Sequence, residues 1–301
     1  MLEKSIKLNN ASAMCHLASY YSKGSKMVEK NTEEAIRLYQ LANGKRNIIS
    51  TYNLASIFIK KQNFLDAIEL LEANCQKKHE KSIFKLASIL FEGSIGVEKD
   101  VERSIELFNQ SLLMGNHNSA YKLGCIYSKI GINVLNDFAK AADYFQRASD
   151  IGNLKASFKL ALMHVYGKVN NFYLFYFLIL FSFCFYFMNK KGIPKNVGKG
   201  IEILENASKM GGTDSTHYLG TANMSGKIIP KNYSKAISYL EKNCQLGIKK
   251  SLHCLALIYQ NGDGVEVDLN KAFNLFKRAS DLNFYRSICS LAGCYESGSG
   301  N

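Results

Sequence analysis

The sequence predicts an all-α fold, an α-α superhelical solenoid of about seven helix-pair repeats. Three observations support this prediction. Two residue patterns recur along the chain at matching intervals, both patterns have the three- and four-residue spacing of one helix face, and the 301 residues include only two prolines. A recurrence of roughly 20 to 50 residues is typical of solenoids, whose short units bury their apolar faces against their neighbours.

The first pattern is a leucine followed by a small residue, and it predicts the first helix of each unit. The intervals between successive leucines are 37, 32, 37, 37, 59, 36 and 36 residues. These eight leucines are called the marker leucines below. The pairs are Leu17-Ala18, Leu54-Ala55, Leu86-Ala87, Leu123-Gly124, Leu160-Ala161, Leu219-Gly220, Leu255-Ala256 and Leu291-Ala292.

The second pattern is a triplet of a small residue, a bulky apolar residue four positions later, and a small or polar residue three positions further on. Its intervals are 32, 37, 37, 59, 36 and 36 residues, in the same order as those of the first pattern. It predicts a second helix in each unit, because small residues let two helix backbones approach while the bulky one fills the facing gap. The triplets are Ala35/Tyr39/Ala42, Ala67/Leu71/Asn74, Ser104/Phe108/Ser111, Ala141/Phe145/Ala148, Gly200/Leu204/Ala207, Ala236/Leu240/Asn243 and Ala272/Phe276/Ala279.

Glycines predict where the helices end, since a glycine past a helix terminus adopts the left-handed conformation at low cost. Within units they fall after the first helix, at Gly24, Gly93, Gly96, Gly131, Gly226, Gly262 and Gly264. Between units they fall after the second helix, at Gly115, Gly152, Gly211, Gly212 and Gly247. The second unit is five residues shorter and has no glycine between its helices, so its turn is predicted to be tight.

The interval of 59 residues contains a segment unlike the rest of the chain, from Val169 to Lys191. Ten of its 23 residues are Phe or Tyr, and Phe172 to Met188 carries no charge. Without these 23 residues, the interval in both patterns becomes 36, as in the units that follow. We therefore interpret the segment as an insertion into the turn between the two helices of one unit.

Three origins of this insertion are open. A single membrane span would put the two helices of one unit on opposite sides of a bilayer and deprive each of its packing partner. An apolar loop or membrane contact would leave the unit whole, although the segment has no polar face of the kind an interfacial helix needs. We favour a retained intron. The Val169 codon begins with GT and the Lys191 codon can end with AG, as the two ends of an intron do, and the segment's 23 whole codons preserve the reading frame. Sequencing the transcript tests this, and a message that always contains the segment contradicts it.

The predicted organisation has three parts: residues 1–168 as the first part of the solenoid, 169–191 as the apolar insertion, and 192–301 as the second part, truncated inside a repeat. The sequence starts within what reads as a second helix and stops in the turn after a first helix. We expect the array to continue beyond these ends or to fray there.

Several stretches carry a family motif as well as the period. In "LALIYQNGDGVEVDLNKAFNLFKRAS" (Leu255–Ser280), a leucine, a small residue and a tyrosine precede "GDGV" and then "DLNKA". "LASILFEGSIGVEKDVERSIELFNQS" (Leu86–Ser111) and "LASYYSKGSKMVEKNTEEAIRLYQLA" (Leu17–Ala42) match in part. Apart from the insertion, the whole chain resembles the Sel1-like repeat family, which is related to the tetratricopeptide repeats. The resemblance implies adaptors and scaffolds, some in endoplasmic-reticulum quality control and others joined to kinase domains.

No motif for catalysis or for a cofactor is present. The sequence lacks a phosphate-binding loop, a dinucleotide-binding glycine motif, a zinc-protease helix and a nucleophile elbow. The scattered cysteines and histidines form no metal-ligand set. We therefore expect a non-enzymatic protein without a cofactor, metal or small-molecule substrate. With no apolar N-terminal leader, a cytoplasmic location is expected; the alternative is the endoplasmic-reticulum membrane, through Phe172–Met188.

One set of charged residues is a candidate binding site. The residue before the marker leucine is Lys85, Lys122 and Lys159 in three consecutive units. Equivalent positions of stacked repeats form a ladder, which would here be a basic stripe suited to a carboxylate or an acidic peptide. Ordinary solvated lysines are the simpler interpretation, since the net charge of +13 comes from a lysine-rich surface.

The function predicted from these observations is a non-catalytic scaffold or adaptor that binds protein segments on the solenoid surface. Two alternatives are open: a membrane-tethered adaptor of the endoplasmic-reticulum ubiquitin-ligase type, and a regulatory repeat region of a larger signalling enzyme such as a kinase. The expected partner is a protein or peptide, the basic ladder favours an acidic one, and nucleic acid is not expected. A membrane is expected as a partner only if 172–188 is a genuine part of the protein.

Overall fold

The computed structural model describes residues 10–25, 28–128, 137–167, 193–296 and 298 of the chain. These residues form fifteen α-helices, and no β-strand occurs among them. The first helices of the repeats are α1 (Ala11–Lys23), α3 (Ile48–Lys60), α5 (Glu80–Glu92), α7 (His117–Tyr127), α9 (Leu154–Tyr166), α11 (Thr213–Ser225), α13 (Lys249–Asn261) and α15 (Tyr285–Glu296). The second helices are α2 (Thr32–Gly44), α4 (Phe64–Gln76), α6 (Val101–Leu113), α8 (Phe138–Asp150), α10 (Val197–Lys209), α12 (Tyr233–Gln245) and α14 (Leu269–Asp281).

The chain divides into two compact units, residues 1–126 and 127–301. In the first, α1 packs with α2, α3 with α4, and α5 with α6, while α2 and α4 also pack against the first helix that follows them. In the second, the pairs are α9–α10, α11–α12 and α13–α14, and each second helix from α8 to α14 packs against the next first helix. This is the predicted all-α solenoid of helix pairs, and the fold prediction is confirmed.

The two sequence patterns form the core. Six marker leucines, from Leu54 to Leu255, are buried, and the bulky residue of every triplet is buried as well. The small residues allow close backbone approach: a Cβ built on Gly220 of α11 would lie 2.8 Å from the Leu240 side chain of α12. A Cβ on Gly200 of α10 would lie 2.8 Å from the carbonyl oxygen of Ala161 in α9. The predicted packing of small against bulky residues is therefore correct.

An Asn or Asp residue closes each described turn from first to second helix. Its backbone N–H donates to the carbonyl four residues after the marker leucine, at 2.7–2.9 Å. Its side-chain oxygen, in all of these turns except the tight one, accepts from the N–H three residues ahead and so caps the second helix. The backbone pairs are Asn31–Tyr21, Asn63–Phe58, Asp100–Leu90, Asn196–His164, Asn232–Asn223 and Asp268–Tyr259.

The turns from second to first helix are also alike. In each, a residue with positive φ follows the second helix, and the next N–H donates to the carbonyl that is five residues back. Glycine occupies this position at Gly115, Gly152, Gly211 and Gly247, as predicted. Arg46, Lys78 and Asn283 take the same conformation in the remaining turns, where no glycine occupies this position.

The turn between α9 and α10 closes in the same way as its neighbours, although the chain between these two helices is longer by the 23 residues of the predicted insertion. Asn196 N–H donates to His164 O at 2.7 Å, and a Cβ built on Gly167 would lie 3.4 Å from Lys195 Cβ. In the next repeat, a Cβ built on the equivalent Gly226 would lie 3.0 Å from Lys231 Cβ. The predicted insertion 169–191, its boundaries and the candidate membrane segment 172–188 lie outside the described residues. Within the described residues, no helix has the length and apolar character needed to cross a membrane.

Two glycines of α10 give a matched test of close packing. Gly200→Ala is expected to lower the free energy of unfolding by about 1–3 kcal/mol, because its Cβ would meet backbone atoms of α9. Gly198→Ala, whose Cβ would meet only Asn196 Oδ1 at 3.7 Å, is expected to raise it by about 0.5–1 kcal/mol through helix propensity. Urea unfolding of the two variants measures both effects, and equal shifts would contradict the packing described.

Deleting residues 169–191 tests whether the turn is complete without them. The deletion leaves seven residues between α9 and α10, as many as in 226–232 and 262–268. Because a shorter loop costs less closure entropy, the free energy of unfolding is expected to rise by about 1 kcal/mol, with no change in helix content. Circular dichroism and urea unfolding measure this, and a less stable deletion variant would show that the segment contributes to the fold.

Candidate functional site

Successive first helices share a surface that we call the first-helix face, formed by the residue before each marker leucine and the residue six after it. In the first unit, Lys122 Nζ of α7 lies 3.1 Å from Glu92 Oε1 of α5. Lys85 of α5 lies over the ring of Tyr52 on α3, with Nζ 6.0 Å from the ring centroid. The side chains of consecutive repeats therefore contact one another along this face.

The same geometry recurs in the second unit with different chemistry. Tyr218 of α11, directly before a marker leucine, donates its hydroxyl to the hydroxyl of Tyr166 in α9 at 2.7 Å. Burial and this hydrogen bond raise the pKa of Tyr218 above its ordinary value. Phe158 contacts the Tyr218 ring edge to face. The contact between α9 and α11 on this face is therefore aromatic, whereas the contact between α5 and α7 in the first unit is an ion pair.

The three lysines predicted as a ladder lie in different environments. Lys85 and Lys122 are half-buried on α5 and α7 of the first unit, held by the contacts to Tyr52 and Glu92. Lys159 is exposed on α9, in the second unit. The structure therefore brings Lys85 and Lys122 onto one face of one unit. The ladder of three remains a prediction.

Charge on the first-helix face of the first unit is not balanced from repeat to repeat. Glu92 stands six residues after its marker leucine and pairs with Lys122. The equivalent residue of the preceding repeat is Lys60, which is exposed. Lys122 therefore has an acid at this position of the preceding repeat. Lys85 has a second cation, Lys60, at the equivalent position of the repeat that precedes its own.

A buried polar network joins neighbouring repeats and was not foreseen from the sequence. In the second unit, Asn243 Nδ2 donates to Thr213 O at 2.9 Å and to Ser251 Oγ at 3.1 Å. Ser251 Oγ also lies 2.9 Å from His217 Nδ1. Because Asn243 already donates to this serine, the serine hydroxyl is available to donate to a neutral His217. Burial lowers the pKa of His217, with Lys250 adding to the effect and Asp214 opposing it.

A periodic signal for this network was present in the sequence. The residue four before the marker leucine is a buried serine in six of the eight repeats: Ser50, Ser82, Ser119, Ser215, Ser251 and Ser287. In the first unit, Asn74 Nδ2 donates to Ile48 O and to Ser82 Oγ, as Asn243 does in the second. The two asparagines occupy the last position of the triplet, where they connect the first helix of their own repeat with that of the next.

The thiols of Cys75, Cys244 and Cys254 are poor nucleophiles. Burial raises the pKa of Cys75 and of Cys254 to about 11, and that of Cys244 to about 12. At neutral pH each is protonated, and the thiolate is the reactive form of cysteine. In the part of the chain that the structure describes, no group of three or more His, Cys, Asp or Glu side chains is arranged to hold a metal ion.

Comparison with known families identifies the repeat. The family model described as the Sel1 repeat matches residues 11–43, 81–116, 117–153, 184–212, 213–248 and 251–284, more than half of the chain. The chain belongs to the Sel1 repeat family. The Sel1 matches omit residues 44–80, where α3 and α4 form a helix pair whose tight turn comprises only residues 61–63. That pair is a further repeat of the same architecture.

Solved structures, among them Sel1 repeat proteins, show the same fold. The Sel1 repeat protein from Oxalobacter formigenes is 20% identical, with a TM-score of 0.60 over 78% of this chain and 85% of that one. The protective antigen c5321 of uropathogenic Escherichia coli is 17% identical, with a TM-score of 0.53 over 99% and 75%. Human IFIT1, a dimer with m7Gppp-AAAA, is 16% identical, with a TM-score of 0.52 over 97% and 66%. A search of curated proteins found no match. At these identities the likeness shows the fold alone.

The histidines of this Sel1 solenoid predict a pH dependence of stability. Burial lowers the pKa of His217 and His253 below 6.5, so the native state binds fewer protons than the unfolded state just below that pH. Their contribution is complete above about pH 6.5 and is lost as the pH falls through the folded pKa values. The urea midpoint is therefore expected to fall between about pH 7.5 and 5.5.

Variants assign this fall to the buried histidines. The double variant His217→Asn/His253→Asn is expected to lose less of its midpoint over the same pH interval than the unchanged protein. His16→Asn, which alters an exposed histidine of α1, should retain the full decrease. An unchanged decrease in the double variant would show that other groups are responsible.

Proposed function

We propose that this protein is a non-catalytic scaffold that binds segments of partner proteins along its first-helix face. Sel1 repeat solenoids are generally protein-interaction scaffolds. The observation that carries the proposal is the sharing of this face by successive repeats, as in the contacts Glu92–Lys122 and Tyr166–Tyr218. An extended or helical segment lying across several repeats would meet one side chain from each, which gives specificity from a simple fold.

The basic character of the face in the first unit supports an acidic partner. Lys60 and Lys85 occupy the positions that hold an acid and a lysine in the next repeat, so a partner carboxylate would supply the missing anion. We extend this preference to Lys122 and Lys159, the other members of the predicted ladder. The exposed Lys122–Glu92 pair contributes at most about 1 kcal/mol, so a partner carboxylate can compete with Glu92 for the lysine.

The location that fits this function is the cytoplasm. Reducing conditions there keep thiols such as Cys254 reduced and unpaired with other thiols.

Charge reversal tests the basic ladder. The triple variant Lys85→Glu/Lys122→Glu/Lys159→Glu is expected to weaken binding to a labelled oligoglutamate peptide at least about tenfold, since like charges oppose the contact. Fluorescence anisotropy at low salt measures the affinity. The matched control is Lys209→Glu/Lys235→Glu/Lys277→Glu, which changes the net charge equally through exposed lysines of second helices.

The control separates a site from a general charge effect. Equal losses in the two triple variants would show that net charge alone attracts the peptide. Affinity purification of the unchanged protein and both variants, followed by mass spectrometry, applies the same comparison to cellular partners. Acidic partners that are retained by the ladder variant would exclude the ladder as their binding site.

A further inference from the structure

The second unit has an apolar edge that faces solvent. In each turn from a second helix to the next first helix, the residue directly before the positive-φ position is apolar and exposed, and these four are called the edge residues below. Their exposed fractions are 49%, 63%, 62% and 44%, in chain order. The edge residues are Ile151, Met210, Leu246 and Leu282.

This exposure does not come from an end of the array. Met210 and Leu246 are the most exposed of the four, and each has a described turn of the same kind on both sides. The fold does not require an apolar residue at this position either, because the first unit has the exposed lysines Lys45 and Lys77 there. The apolar edge is therefore a feature of the sequence of the second unit.

Successive turns lie side by side, so the edge residues form a continuous row. A Cβ built on Gly152, the residue after Ile151, would lie 3.9 Å from Met210 Cε. Basic side chains of second helices also donate to carbonyls at the end of the preceding second helix. The bonds are Lys242 Nζ to Ser208 O and Arg278 Nη2 to Cys244 O, both at 3.0 Å.

The interval along this row suits an α-helix laid across the repeats. Packed helices lie about 8–10 Å apart, and seven residues of an α-helix rise about 10.5 Å. Apolar residues at every seventh position share one face of a helix. Such a helix would therefore present one apolar side chain to each edge residue.

A charged residue accompanies each edge residue and gives the row a second property. It stands four positions later, in the first turn of the following first helix, and is exposed in every case. These charged residues are Lys155, Asp214, Lys250 and Arg286. Three cations and one anion in this order favour a helix with an acid beside three of its apolar positions and a base beside the remaining one.

Carboxylates along the edge favour a helix over a membrane surface. Asp214 belongs to the charged row, and Asp150 and Asp281 are exposed directly before two of the edge residues. An anionic bilayer would repel all three carboxylates. A helix can instead place a basic side chain opposite each of them.

We propose that the apolar edge of the second unit binds an amphipathic α-helix of a partner protein, with apolar residues at every seventh position and acids toward Lys155, Lys250 and Arg286. Removal of apolar side chains from water drives the contact, and the charged row sets the register and direction of the helix. This site goes beyond the proposed function, which concerns the first-helix face.

Alanine-rich helical peptides of about 28 residues test the proposal, since this length forms a helix in water. They carry leucine at every seventh position, glutamate three residues after three of the leucines, and lysine after the remaining one. Two versions, with the lysine in second or third place, cover both directions along the edge. Fluorescence anisotropy with the full 301-residue chain is expected to show saturable binding, tighter for one version. No saturable binding, or equal binding of both, would overturn the proposal.

A control peptide separates the helical register from general apolar attraction. It has the same composition, but its leucines are five residues apart and so spread around the helix. It is expected to bind at least about tenfold more weakly than the better of the two versions. Equally tight binding of the control peptide would contradict the proposed arrangement.

Variants of the chain locate the site. Met210→Gln/Leu246→Gln is expected to weaken binding of the peptide at least about tenfold, because two apolar contacts are lost. The matched control is Leu65→Gln/Leu113→Gln, which changes two equally apolar and exposed residues of the first unit and should bind as the unchanged chain does. Circular dichroism checks that both variants fold. Unaltered binding by the edge variant would overturn the proposal.

Two further measurements would assign the edge to another occupant. Sedimentation with vesicles containing phosphatidylserine that the edge variant loses would identify a membrane and overturn the assignment to a helix. Concentration-dependent self-association that the edge variant abolishes would do the same in favour of a second copy. Neither result changes the binding of oligoglutamate at Lys85 and Lys122, so failure here and failure of the proposed function are distinguishable.

Discussion

The turn from the first to the second helix of each repeat is the constraint on which the rest of the structure depends. In the turns that the structure describes, the N–H of one Asn or Asp residue donates to a carbonyl at the end of the first helix. In all of them except the tight turn at Asn63, the side chain of that residue also caps the second helix. At Asp268 these distances are 2.9 Å to Tyr259 O and 2.8 Å from Lys271 N. The helix ends are thereby tied at a fixed separation, and the antiparallel pair that results places small residues opposite bulky ones. Stacking follows, because a pair that buries one face still has another to cover.

This arrangement explains how the α9–α10 pair keeps its form beside a long interruption. Chain added to a turn costs closure entropy that grows only slowly with length, provided that both ends of the turn stay in place. Asn196 and Gly167 hold those ends as their counterparts do in the following repeat. The close approach of Gly200 to Ala161 then depends on helix packing and not on the length of the connection. A repeat of this kind tolerates additions at the turn but not at the helix interface, where a single methyl group already meets backbone.

The fold could be predicted from sequence because its determinants are local and repeated, whereas the surface contacts are neither. Helical spacing around Leu255 and Phe276 reports which residues face inward, and glycine at Gly247 reports a helix end. The positive φ of Arg46 could not be predicted, since arginine has no preference for this conformation. An Asn or Asp residue directly before each second helix is a further signal in the sequence, separate from the marker leucines and the triplets. On the first-helix face, Glu92 reaches Lys122 across 30 positions of sequence, and only the stacking of repeats brings them together. The ladder lysines could be placed on one side of their helices, but not their partners.

A repeat array separates what must stay constant from what can vary. The turns from first to second helix, the marker leucines and the triplets determine how the repeats stack, so substitutions there change the stability of the fold. Residues on the first-helix face make few of these contacts and change from lysine to tyrosine between repeats without altering the pairing, as Lys122 and Tyr218 illustrate. Recognition on that face therefore depends on the particular side chains.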